Sequence, residues 1–172
     1  MNVEIDERGG TGQSVNEPVR ARPMTLPFWK TKKLEEMTPA EWESVCDGCA
    51  KCCLLKLEDE DTGDIAYTRL HCKLLDAQTC RCANYEDRKA HVPDCVILTP
   101  KSVNELKWMP QSCAYKVLHE GGDLPAWHHL VSGNKDDVHR QGQSIMGRTV
   151  SEETVLEEDQ IDWIIDWEGN PP

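Results

Sequence analysis

Four thiols fall within eight positions in the run Cys46-Asp47-Gly48-Cys49-Ala50-Lys51-Cys52-Cys53. Thiolate sulfur is a soft donor suited to zinc, iron–sulfur clusters and Cu(I), and a two-residue spacer lets two sulfurs meet one ion from a single bend of backbone. Cys46 and Cys49 have that spacing, and Cys52 repeats it. Cys53 follows directly, and successive side chains diverge in helix or strand, so the spacing predicts that one of this pair faces a different site. Five more cysteines, Cys72, Cys80, Cys82, Cys95 and Cys113, lie in turn-rich sequence downstream. All nine are candidate metal ligands. Their number exceeds the four donors of a tetrahedral ion, which points to two metal sites, or to one cluster with buried thiols left over.

Spacing leaves the choice between zinc and iron open. The ferredoxin run C-x2-C-x2-C-x3-C-P begins here, but Lys56 stands where its fourth cysteine would be. A zinc ribbon needs a second C-x2-C, and the later close pair is Cys80-Arg81-Cys82. The C-x3-C-x2-C arrangement of radical S-adenosylmethionine chemistry is absent. His71, His91, His128 and His129 are available to complete a site, although a histidine in a polar chain is more often a surface residue. Glu58-Asp59-Glu60-Asp61 matches no EF-hand spacing and reads as a solvated hairpin tip. GxGxxG, P-loop and GxSxG patterns are missing, so no catalytic residue is assigned.

Composition narrows the setting. The start MNVEIDERGG carries no basic region followed by an apolar run, so no secretory signal is visible, and dense cysteine in a reducing cytoplasm indicates metal ligation rather than disulfides. Nineteen basic against thirty-one acidic residues give a net charge of -12, which repels phosphate backbones and anionic lipid headgroups. Nucleic acid and membrane are therefore poor partners, and a basic protein is a better one. No stretch approaches the roughly 20 apolar residues of a membrane span. With 6% aromatic residues and a mean hydropathy of -0.61, apolar burial is modest, and metal cross-links are expected to supply the missing order.

The elements that must position the thiols are short. Residues 1–24 are polar and aperiodic and read as a flexible tail. Thr38-Pro39-Ala40-Glu41 combines a capping box with proline at the first helical position, predicting a helix that leads into the cysteine run. Leu54 to Leu57 and Ile65 to Leu70, separated by Asp61-Thr62-Gly63-Asp64, predict a β-hairpin closed by Cys72, with a turn-like segment from there to Cys82. Helices are expected after Thr99-Pro100, over Ser112 to His119 and near Asp136 to Gln141, and a strand over Ser144 to Val150. Residues 151–172 form an acidic tail in which Ile161, Trp163, Ile164, Ile165 and Trp167 group together, to dock on the body or to bind a partner. The expected fold is a small, irregular α+β domain over 25–150, its short helices and hairpin organised around a cysteine-ligated metal centre.

The ordered stretches CDGCAKCC, LEDEDTG, CKLLDAQTCRC, NYEDR, PDC, SCAY and DLPAWHHLVSG resemble the bacterial YcgN-type cysteine-cluster family, within a wider group named for its CxxCxxCC motif and described as zinc- or iron-chelating proteins. The resemblance runs from about Pro27 to about Val150. Cys82, Tyr85, Glu86, Arg88 and Cys95 match a later signature of the wider group, with Lys89 standing where that signature has proline and a longer spacer before Cys95. Cys80 looks like an addition of the YcgN-type branch. What the resemblance implies is chelation of zinc or iron, an iron–sulfur cluster included, and no reaction. Flagellin lysine methylases form a related branch but carry further sequence, and their activity is not transferred.

Overall fold

In the computed structural model, which describes residues 26–167, helix α1 (Phe28–Thr31) and a 3-10 turn at Leu34–Glu36 lead to α2 (Pro39–Ser44). The expected tail over 1–24 lies outside the described residues. Helix α2 begins where its caps require: the Glu41 N–H donates to the Thr38 hydroxyl at 3.3 Å, and the Thr38 N–H donates to the Glu41 carboxylate at 2.8 Å. Lys32 Nζ reaches both oxygens of that carboxylate at 2.7 Å and holds it below the usual carboxylate range. Thr38→Ala is expected to cost about 1 kcal/mol of stability in denaturant unfolding, the usual value of an N-cap hydroxyl.

Beyond the cysteine run, β1 (Leu54–Glu58) and β2 (Ile65–His71) form the predicted antiparallel hairpin, with a bulge between Leu54 and Lys56. Asp59 ties its tip by accepting the N–H groups of Asp61 and Thr62 at 3.0 and 2.8 Å. The segment expected to be turn-like contains a small antiparallel ribbon, β3 (Leu75–Asp76) and β4 (Arg81–Cys82). Helices α3 (Arg88–His91), α4 (Pro100–Glu105), α5 (Ala114–His119), α6 (His129–Ser132) and α7 (Asp137–Arg140) follow, α4 being capped by Thr99 as its sequence predicts. The strand expected over Ser144 to Val150 shrinks to β5 (Val150–Ser151), which pairs parallel to β2 at Leu70 and His71. Gly147, at φ +69°, and Arg148, whose guanidinium binds the carbonyls of Gly142 and Ser144, hold the preceding residues in turns.

Residues 152–167 run in 3-10 turns back across the hairpin. Ile164 bridges Thr68, the Ile165 N–H donates to the Tyr67 carbonyl at 2.9 Å, and Trp167 is 4% exposed beneath the Arg148 guanidinium. The architecture is α+β, with short helices beside a three-stranded sheet of order β1-β2-β5 and the β3-β4 ribbon. Among the described residues no helix is long and apolar enough to cross a membrane.

Two half-cores result. Leu54, Tyr67, Leu75, Ile145 and Trp167 pack under the sheet, and Val45, Val103, Met109, Tyr115 and Leu124 pack among the helices. Val45 belongs to one and Ala50 to the other, so the cysteine run is the seam between them.

Candidate metal centre

Left-handed residues bend the run. Gly48 lies at φ +76° and Ala50 at φ +60°, ψ 12°, a conformation that is costly for alanine and is held here by burial of its methyl in the sheet half-core. These bends turn main-chain amides toward sulfur: the Gly48 N–H donates to Cys46 and the Lys51 N–H to Cys49. The Leu74 N–H likewise addresses Cys72, and Cys113 stands at the N-cap of α5, where the nearby amides of Lys116 and Tyr115 favour its anionic form without forming a capping bond. Amides aimed at a sulfur favour its anionic form, the form that binds metal.

The nine thiols separate into neighbourhoods. Burial pushes the Cys46 thiol up, and the charges of Cys52, Asp47 and Cys113 push it further. Cys49 is raised by burial and by the same Asp47 and Cys52, and Cys113 is pushed up to about 12 by burial with Cys52 and Asp47 adding. Cys113 is thus brought from far along the chain to the bend that carries Cys46, Cys49 and Cys52. A second neighbourhood forms around Cys72, whose thiol is raised by burial and then by Glu152, Cys95 and Cys82. Cys53 belongs to it: the Cys72 N–H donates to the Cys53 carbonyl at 2.9 Å, and the two side chains interact electrostatically.

The sulfurs of adjacent Cys52 and Cys53 lie 3.9 Å apart, where a 3-10 turn passes into β1, so the pair joins the two neighbourhoods rather than parting between them. The Cys53 thiol and then the Lys56 ammonium draw Cys52 down to about 7, and Cys53 is correspondingly raised. Cys80 stands apart, 8% exposed in the sheet half-core, where the Ser144 hydroxyl and the N–H groups of Ile145 and Met146 address its sulfur. Among the described residues no three His, Cys, Asp or Glu side chains stand at metal-holding separation.

Charged residues inside the run were not read as part of the site from sequence, although their interleaving with cysteine was visible. Asp47 is 9% exposed; its Oδ1 accepts the Cys49 N–H at 2.9 Å, and its Oδ2 is buried without a hydrogen-bond partner. Lys51 is 2% exposed and its Nζ donates to Ser112 Oγ at 3.1 Å, tying the run to the residue before Cys113. Lys56 Nζ donates to the carbonyls of Cys52 and Leu54 at 3.0 and 2.7 Å and lies 4.6 Å from the Trp108 ring centre. Burial lowers its pKa to about 8, against the opposing pull of Cys52 and Cys53.

The histidines serve the scaffold. His128, fully buried, donates from Nε2 to the Val45 carbonyl at 2.9 Å and accepts the Leu130 N–H on Nδ1 at 3.1 Å, so both ring nitrogens are occupied. His71 Nδ1 pairs with Thr149 Oγ1 at 3.0 Å and His91 Nε2 with Asn84 Nδ2 at 2.7 Å.

Short elements hung on a bent, thiol-rich run define a cysteine-cluster domain. Residues 45–114, which begin one position before Cys46 and end one after Cys113, match the family model described as "CxxCxxCC: Putative zinc- or iron-chelating domain". The chain is 57% identical over 146 residues to a UPF0260 protein of Parvibaculum lavamentivorans, covering 85% of this chain and 95% of that protein. A UPF0260 protein of Sinorhizobium fredii is 56% identical over 142 residues, 83% of this chain and 92% of that one, and one of Caulobacter vibrioides is 55% identical over 139 residues, 80% and 86%. This chain belongs to the UPF0260 family. No solved structure matches it.

Proposed function

We propose that the protein is a cytoplasmic metal-binding protein of the YcgN type, in which two thiolate-rich sites hold zinc or iron and fasten the two half-cores across their seam. The first site draws on Cys46, Cys49, Cys52 and Cys113, the second on Cys53, Cys72, Cys82 and Cys95, and Cys80 remains a core thiol. The observation that carries this reading is the return of Cys113 to the bent run, fastened there by the Lys51 Nζ to Ser112 Oγ bond at 3.1 Å and placed within electrostatic reach of Cys46 and Cys52. Its role is structural or that of an adaptor. A divalent ion held by four thiolates leaves a charge of about -2 at each site, which adds to the acidity of the chain and favours a basic protein partner.

A second reading, metal trafficking or redox work by an iron–sulfur cluster, is favoured by one feature: Cys46 and Cys52 are exposed although protein crowds around them. Anaerobic purification with elemental analysis and a visible spectrum tests both. Two colourless zinc ions in slow exchange support the structural reading; rapid exchange supports trafficking; iron with acid-labile sulfide and a broad charge-transfer band supports the cluster. Protein without stoichiometric metal and with every thiol free to react would overturn all three.

A further inference from the structure

Asp47 has an unmatched atom at the most informative place in the molecule. The Cys49 N–H donates to Oδ1 and the Cys49 thiol also engages this carboxylate, while Oδ2 is buried without a well-formed hydrogen bond of its own. A buried carboxylate oxygen left alone is costly, and proteins keep such groups where a cation meets them. No side-chain cation of the described residues does so: the Lys51 ammonium, buried in the same run, is directed to Ser112, and no ion pair forms at Asp47. His129 lies within electrostatic reach, but burial lowers its pKa, so its ring is a weak source of positive charge. The other groups that feel the Asp47 charge are Cys46, Cys49, Cys52 and Cys113, the thiols of the first neighbourhood.

We propose that Asp47 is a metal ligand, its Oδ2 joining Cys46, Cys49 and Cys113 in a mixed sulfur–oxygen site while the second site is sulfur alone. Cys52 is the thiol that gives way. Its sulfur lies 3.9 Å from that of Cys53, which gives it a partner outside the set that surrounds Asp47. Charge points the same way. Four thiolates and a carboxylate around a divalent ion sum to about -3 in a crowded site, whereas three thiolates and a carboxylate leave about -2. A role confined to steadying the Cys49 amide would account for Oδ1 but leave Oδ2 without a purpose.

This inference rests on the metal-binding reading above, and one set of measurements on the full chain separates their failures. X-ray absorption of the zinc-loaded wild-type protein is expected to require an oxygen shell beside sulfur; a fit by sulfur alone at full loading overturns the role of Asp47 while leaving the two sites intact. In cobalt(II) titrations, Asp47→Asn is expected to weaken one of two equivalents by at least the roughly 10- to 100-fold seen when groups around a metal are removed, with the other equivalent unchanged. Asp47→Cys is expected to keep both equivalents and to strengthen the sulfur-to-cobalt charge-transfer band. Identical affinity and spectra in Asp47→Asn and wild type would overturn the proposal, as would a stronger loss from Cys52→Ser than from Asp47→Asn. Wild-type protein that binds no cobalt or zinc overturns both readings. If Asp47→Asn does not fold, the absorption measurement on wild type decides.

Discussion

Replacing Cys49 with serine is expected to remove one metal ion per chain and to lower stability by about 5 kcal/mol or more. Cys49 is buried, its carbonyl accepts the Ile145 N–H at 3.0 Å, its amide is clamped by Asp47, and its sulfur receives the Lys51 N–H. It is therefore fixed by the sheet half-core and by its neighbours in the run, and a serine oxygen there is a poorer donor to a soft cation. Structural zinc supplies roughly 10–16 kcal/mol in peptides that have no fold without it; this chain has apolar packing of its own, so a smaller share is at stake. Against a typical total of about 5–15 kcal/mol, a loss of about 5 lowers the melting temperature by roughly 10–20 °C. Calorimetry with metal analysis on the same samples checks this, and Cys80→Ala, which lies outside both neighbourhoods, is the control expected to retain both ions. A Cys49→Ser protein with full metal content and unchanged melting would refute the assignment. Because burial raises Cys46, Cys49 and Cys113, each must release a proton on binding, so metal affinity is expected to rise with pH below the range where these thiols ionise.

His128→Ala is the second large effect, at about 3–6 kcal/mol. The ring is fully buried and spans Val45, the residue before the first cysteine, to Leu130. Its loss leaves a buried carbonyl and a half-buried amide unmatched, at about 1–3 kcal/mol for each fully buried group and less for the amide, and opens a cavity besides. Since the Val45 carbonyl sets where Cys46 starts, the variant is also expected to bind the first ion more weakly. Asparagine, which can donate and accept over a shorter reach, should recover part of the stability. Denaturant unfolding of the metal-loaded and stripped forms would separate the two contributions; equal affinity in His128→Ala and wild type would confine this residue to packing.

What could be read in the chain beforehand was local. The Thr38–Glu41 caps and the hairpin turn around Asp61-Thr62-Gly63-Asp64 are set by neighbours a few residues apart, and each appears where the residues demanded. The grouping of thiols was not legible, because Cys113 joins the first neighbourhood through packing of the helical half-core, and Cys53 joins Cys72 through a strand pairing. The orphan oxygen of Asp47 depends on burial by segments remote from it, and no spacing rule announces it. Docking of Trp167 beneath Arg148 is likewise a property of the assembled sheet, so the acidic segment left open two readings until β2 was seen to receive it. The expected strand over Ser144 to Val150 failed for a local reason, the left-handed Gly147, which apolar pattern alone did not reveal.

The parallel register of Leu70 with Val150 has a temporal consequence. A ribosome delivers every cysteine through Cys113 before Val150 exists to pair with Leu70, so chelation can take place on a nascent chain whose sheet is still open. Glu152 then arrives to accept the Lys73 amide at 2.8 Å, which pins the segment after β5 beside Cys72. The parallel pairing of β5 therefore closes the sheet only after all nine thiols have been made.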